Sequence, residues 1–110
     1  MALLSIQTIR PGGITPAYAA ASATGDKVSL NAPNTFLHVK NGGASSITVT
    51  VTTQNNSYKG LTVPDRTVTV PASGEQMIGP LDPSLHADIT QQAAIGYSAA
   101  TSVTVGAFRI

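Results

Sequence analysis

The sequence predicts an all-β domain: an antiparallel β-sandwich or barrel of about eight short strands with an extended N-terminal arm. Three observations carry this expectation. Apolar and polar residues alternate with period two through Ile47–Thr52, Thr67–Val70 and Val103–Ala107, the signature of strands with one buried face. Clusters of Gly, Pro and Asn recur at roughly ten-residue intervals and cut the chain into pieces of strand length. No stretch supports a helix of useful length. Ala19–Ala21 comes closest, but Pro16 precedes it and Ser22-Ala23-Thr24-Gly25 comes directly after.

Leu3 to Ile9 reads as a first strand, with Leu4, Ile6 and Thr8 on one face, ended by Arg10-Pro11-Gly12-Gly13. Ile14 to Ala23 reads as an extended segment lying on a surface and anchored by Tyr18, either within the domain or against a neighbour. Gly25-Asp26-Lys27 is a turn, Val28–Leu30 a short strand, and Asn31-Ala32-Pro33-Asn34 its stop.

Thr35 to Thr53 is the central pair of strands. Leu37 and Val39 face inward with Ile47, Val49 and Val51, while Phe36, His38 and Lys40 face the other way with Thr48, Thr50 and Thr52. The connecting loop runs from Asn41 to Ser46, and Asn41-Gly42-Gly43 supplies residues that tolerate positive φ where the chain reverses. Asn55–Ser57 is a loop, and Pro64, lacking a backbone donor, sits at an edge or outside the ladder. Thr67–Val70 places valines inward and threonines outward. Pro71–Gly74 is a turn, and Glu75–Ile78 a short strand stopped by Gly79-Pro80. In the loop from Leu81 to Gln92, Asp82-Pro83-Ser84 caps one helical turn, with Leu85 and Ile89 four apart. Ala94–Ser98 and Thr101–Phe108 complete the strands, the last with Val103, Val105 and Ala107 on one face. Residues 1–34 form the arm and first strands packed on the domain, and residues 35–110 the sandwich core, within one domain overall.

Composition narrows the function. Only 10% of the residues are charged, against about 25% in typical soluble domains. Ser, Thr, Ala and Gly take their place, which fits either a stable, slightly self-associating domain or, the favoured reading, a surface largely covered by neighbouring subunits, where a charge costs desolvation. The outward threonines 48, 50, 52, 67, 69 and 104 fit either a solvated sheet face or a flat contact surface. The net charge of +1 and the dispersed Arg10, Lys27, Lys40, Lys59, Arg66 and Arg109 give no basis for nucleic-acid binding. No segment is apolar and long enough to span a bilayer, and Met1–Ile6 lacks the features of a signal peptide, which points to synthesis in the cytoplasm.

No catalytic or cofactor pattern emerges. With no cysteine there is no disulfide scaffold and no thiolate metal site. His38 reads as a solvent or interface residue and His86 as a surface loop residue. His86-Ala87-Asp88 does not have a metal-ligand spacing. The carboxylates Asp26, Asp65, Glu75, Asp82 and Asp88 read as scattered over turns, with no acid–base pair. There is no Gly-x-Ser-x-Gly elbow and no phosphate loop. The expectation is a protein that is not an enzyme, with no catalytic, cofactor-binding or metal residues and no cofactor.

The run Thr35–Gly43, the stretch Gly60–Ala72 with Val63-Pro64-Asp65-Arg66 at its centre, Ile78-Gly79-Pro80, the closing Tyr97-Ser98 and Val103–Ile110, and the early Thr15-Pro16-Ala17-Tyr18 together resemble small structural proteins of tailed bacteriophages, in particular capsid decoration (cement) proteins. The resemblance covers most of the chain. It implies a virion protein on the outer surface of the head, made in the host cytoplasm. Its partner would be the major capsid protein, with copies associating as a homo-oligomer, a trimer, or standing quasi-symmetrically on the shell. Neither nucleic acid nor membrane is an implied partner. The residues expected at subunit contacts are Leu4 and Ile6 of the arm, Tyr18 and Phe36. Two other roles remain open at this point. One is a head–tail joining or tail protein, which would close into a ring. The other is a carbohydrate-binding sandwich, for which three Tyr and two Phe are a thin supply of aromatics.

Overall fold

The computed structural model describes residues 2–30, 34–53, 57–58, 60–62, 64–88 and 90–110. The expected turn at Asn31–Pro33, the loop at Asn55–Asn56 and the Leu85/Ile89 spacing fall outside the described residues. In chain order the strands are β1 (Ala2–Leu4), β2 (Ile6–Thr8), β3 (Ala19–Ala20), β4 (Asp26–Ser29), β5 (Thr35–Asn41), β6 (Ile47–Val51), β7 (Ser57–Tyr58), β8 (Leu61–Thr62), β9 (Arg66–Val70) and β10 (Glu75–Ile78). A single helical turn α1 (Pro83–His86) comes next, then β11 (Gln92–Tyr97) and β12 (Val103–Arg109). The protein is all-β, and its two main sheets face each other as a sandwich without closing into a barrel.

Sheet A has the order β1-β4-β11-β6-β9. Sheet B has the order β10-β5-β12-β2, with β3 also on β12, and β7–β8 is a separate two-stranded ribbon. The thinnest molecular dimension, 21 Å, fits two sheets packed about 10 Å apart with their outer side chains. The expected alternation lands where it should. Leu37, Val39, Val49, Val51, Val70, Val103 and Val105 are buried between the sheets, joined by Val28 and Ile95. Fully burying such a side chain is worth about 1.5–3 kcal/mol, enough to hold a domain of this size without covalent staples.

Two pairings depart from the antiparallel expectation. β1 runs parallel to β4, with Leu4 beside Val28, and β2 runs parallel to β12, with Ile6 beside Ala107. Period-two alternation fixes which side of a strand is apolar but not which way the strand runs. The expected single strand Leu3–Ile9 is therefore two strands in different sheets, with the handover at Ser5. Leu4 and Ile6 still both face the interior, because the core lies between the sheets they join. Sheet A already draws two of its five strands, β1 and β4, from residues before 35.

Three local expectations are corrected. Ser57, expected in a loop, opens β7. Asp26 is not in a turn; the turn is Ser22–Gly25, closed by the Gly25 N–H on the Ser22 carbonyl, and Asp26 opens β4. The reversal after β5 uses positive φ at none of Asn41, Gly42 and Gly43. Asn41 ends β5 as a buried residue, and its amide donates to the Ser45 carbonyl at 2.8 Å and reaches the Val70 and Pro71 carbonyls at 3.4 and 3.3 Å. The loop is held by side-chain donation rather than by left-handed backbone.

Because β1 closes the edge of sheet A, Leu4→Ala is expected to lower unfolding stability by about 2–3 kcal/mol. Leu3→Ala, on the exposed side of the same strand, should change it by less than about 0.5 kcal/mol. Denaturant titration of both variants measures the difference, and equal effects would refute this account of the arm.

Candidate contact surface

The outer face of sheet B is built from three strands in register. Phe36 lies beside Phe108, and His38 lies between Met77 and Gly106. Phe36 and Phe108 stack with centroids 5.9 Å apart and planes at 28°. The chain after β2 folds back across this face. The Arg10–Gly13 turn reverses it, and Ala19–Ala20 pairs with Thr104–Val105 of β12. Gly106 permits the crossing: a Cβ there would meet the Ala17 carbonyl at 3.1 Å and the Phe108 ring at 2.9 Å. Gln7 secures the returning segment as a strand would, donating from Nε2 to the Ala17 carbonyl at 2.7 Å and accepting the Ala17 N–H at 2.8 Å.

Tyr18 is the keystone of this layer. Its ring meets His38 and Phe108 edge to face at 5.4 and 5.9 Å, and Lys40 Nζ lies 4.2 Å from its centroid. The Tyr18 hydroxyl is 2.7 Å from His38 Nδ1, and His38 Nε2 is 3.1 Å from Glu75 Oε1. Since a carboxylate only accepts, Nε2–H donates to Glu75 and, in the neutral ring, Nδ1 accepts from Tyr18. His38 is therefore not the solvent or interface residue its parity suggests: it is buried beneath the arm. Alternation says only that it turns away from the core, and a second layer of chain covers that side.

Beyond Tyr18 this face is open and apolar. A depression of about 290 Å³ lies among Ile9, Ile14, Pro16, Tyr18, Phe36, His38, Met77 and Phe108. A second, of about 360 Å³, adjoins it through Phe36 and Met77 and extends to Ile78, Pro80 and Ile110. Gly79 lets the backbone pass tight against Phe36, where a Cβ would come within 2.4 Å of the Phe36 Cβ. Met77 and Ile110 are 67% and 73% exposed, and Ile9 is exposed as well. Large apolar side chains are thus exposed side by side on this face.

Of the four residues expected at contacts, only Phe36 and Tyr18 border this patch. Leu4 lies in the core, and Ile6 is half-buried against it. Ile9, at the end of the Leu3–Ile9 arm expected to make contacts, also borders it, while Met77, Ile14, Phe108 and Ile110 join the patch without having been expected there. The parity of Met77 within Glu75–Ile78, opposite to buried Ile78, was the available signal for an exposed apolar residue.

The outer face of sheet A has a different character. Thr48 pairs with Thr69 and Thr50 with Thr67, and Gly96 and Ala94 continue the face without large side chains. Its ion pair joins Lys27 Nζ to Asp88 Oδ2 at 2.8 Å. Asp88 Oδ1 accepts from the Thr90 hydroxyl and from the N–H groups of Thr90 and Gln92. The Lys27 ammonium, and after it Thr90, holds the Asp88 carboxyl far below the usual carboxylate range.

Two other polar groups are more deeply placed than their sequence context suggests. His86 is buried rather than on the surface, and its Nδ1–H donates to the Thr52 carbonyl at 3.2 Å, tying α1 to the end of β6. Asp26 is fully buried, and its Oδ2 accepts from the Tyr97 hydroxyl at 2.8 Å and the Ser22 N–H at 3.3 Å. Burial first, and then this carboxylate, push the Tyr97 phenol well above its ordinary range. Among the described residues no three His, Cys, Asp or Glu side chains are grouped to hold a metal ion. Comparison with known proteins finds no matching family model, no similar curated protein and no similar solved structure.

Two measurements probe these networks. Tyr18→Phe leaves buried His38 Nδ1 without its donor, and unfolding stability should fall by about 1–2 kcal/mol, with faster amide exchange at Ala19 and Ala21, whose N–H groups face β12. An unchanged exchange rate there would contradict the keystone role. The depressed Asp88 carboxyl contributes stability that is complete above its unfolded value near 3.8 and is lost as pH falls below it. Thermal unfolding between pH 6 and about pH 2 should therefore decline less steeply in Asp88→Asn than in the parent.

Proposed function

We propose that this protein is a virion structural protein: a decoration protein that binds the outer surface of a phage head and stabilises it, with the major capsid protein as its partner. The observation that supports this reading best is the apolar patch around Phe36 and Met77 on the outer face of sheet B. It has the anatomy of a protein-binding surface. Large apolar anchors are exposed together, and the rigid Tyr18–Phe108–Phe36 layer beneath them is already ordered. The low charge content of the chain suits a surface that is to be desolvated by contact. The phage resemblance of the sequence chooses a capsid among possible protein partners.

Binding is then the whole mechanism. Apolar side chains of the shell enter the two adjoining depressions, and the ordered floor limits the entropy lost on contact. If the site forms only in the mature lattice, each bound copy stabilises that lattice by mass action, about 2.7 kcal/mol at a free concentration one hundred times Kd.

Imaging of the particle that carries the protein is the direct test. Copies distributed over an icosahedral shell are expected, whereas a single ring at one vertex would assign it to the head–tail junction or tail. On heads lacking the protein, Met77→Glu should weaken binding by about tenfold or more, while Thr50→Ala on the opposite sheet should bind as the parent does. Equal binding of Met77→Glu and parent would remove the patch from the interface.

A further inference from the structure

The two sides of the sandwich are finished differently. On one side the arm covers both sheets, β1 lying on β4 of sheet A and β2 with β3 on β12 of sheet B. On the other side both sheets end in strands with no further neighbour among the described residues, β9 and β10. The pairing register shows which groups of β9 remain open. Thr48 faces β11, since its carbonyl accepts the Ser98 N–H and its own N–H donates to Ser98 Oγ. Ile47, Val49 and Val51 therefore face β9 and bond Val70, Val68 and Arg66. The N–H and C=O groups of Thr67 and Thr69 consequently point away from the sheet, and both residues are exposed.

β9 carries its one charge, Arg66, at its first position, and Pro71 follows its last; between them Thr67–Val70 alternates Thr with Val and contains neither a charge nor a proline, so the middle of the edge is left unblocked. β10, at four residues, is one residue shorter than β9.

We propose that β9 pairs antiparallel with β9 of a second copy of this chain, about a two-fold axis at Val68, joining the two A sheets into one. The edge is complementary to itself in this register. Thr67 lies opposite Thr69 of the partner subunit and exchanges both backbone hydrogen bonds with it, and the symmetry repeats the exchange, so every open group of the two residues is used. On the outer face the Thr48–Thr69 and Thr50–Thr67 pairs continue into a row of threonines crossing the junction, a favourable cross-strand combination. Arg66 falls opposite Val70 of the partner subunit, so no like charges are placed face to face. The pairing gives free copies a two-fold association in place of the trimer that the phage resemblance implies. It does not depend on the decoration reading.

Sedimentation velocity and light scattering of the purified full chain over a range of concentrations test it. The expected result is twice the single-chain mass of 11.2 kDa, dissociating on dilution. Thr69→Pro removes an outward donor without touching the ladder to β6 and should give the single-chain mass. Thr67→Lys/Thr69→Lys and Thr67→Glu/Thr69→Glu place like charges across the junction, so each alone should be monomeric, while an equal mixture of the two should recover the doubled mass. Circular dichroism checks that every variant is folded. A single-chain mass for the parent at all concentrations, a trimeric mass, an assembly that persists in the charged variants, or a mixture that stays monomeric would each overturn the proposal.

Discussion

A two-sheet sandwich must do something with the backbone groups at the edges of its sheets, and most of this structure can be understood from how that requirement is met. The N-terminal arm meets it on one side. A strand of ordinary length could cover one sheet only. By changing sheets at Ser5, residues 2–8 cover parts of both and place Leu4 and Ile6 into the core from opposite layers. The handover also dictates the path of the next segment. Once β2 has paired with β12, the chain turns at Arg10–Gly13 and returns over the outer face of sheet B before β3 pairs with β12.

That return path explains the polar chemistry of the outer layer. A chain crossing a sheet face needs close approach, which Gly106 provides, and partners for its own polar groups, which Gln7 provides for Ala17. It also needs a fixed point. Tyr18 supplies one by combining aromatic contact with a hydrogen bond to a histidine that is itself oriented by Glu75. The result resembles a catalytic relay in its sequence of groups, yet the histidine is buried and its neighbours are mostly aromatic or apolar. The chain of groups fixes the arm to the sheet. The same rigidity makes the adjoining patch a preformed surface, because Phe36 and Phe108 are already fixed in the layer that Tyr18 completes.

The sequence disclosed the parts of this fold that depend on local pattern. Alternation at Ile47–Val51 and Val103–Ala107 identified core strands and their facing, and Asp82-Pro83 marked the single helical turn, because one-sided burial and turn chemistry are written into neighbouring residues. Strand direction, pairing partner and second-layer cover are not written there. Leu4 and Ile6 have the same parity whether they lie in one sheet or two, and His38 has the parity of a solvent residue until a segment twenty positions earlier is laid over it. The patch was half legible for the same reason. Phe36 stood out as an aromatic on an outward position, whereas Met77, Ile9 and Ile110 are far apart in the chain and become one surface only through the pairing of β10 with β5 and the return of the arm.

The two proposed contacts have a geometric relation that bears on how they would act together. Antiparallel pairing at an edge preserves the faces of a sheet, so a two-fold axis at Val68 runs perpendicular to sheet A. Both sandwiches then lie on the same side of the joined sheet, and both B-sheet patches face the same way, directed away from it. A pair of copies would therefore offer two apolar patches to one surface. On a lattice whose sites match their spacing, the second contact forms at the effective concentration set by a rigid link, and modest single-site affinity becomes durable attachment. On a lattice with another spacing the second patch stays unused, and the pair has no advantage over a monomer. The edge would then act as a ruler that selects a shell of suitable geometry, while the patch supplies the affinity.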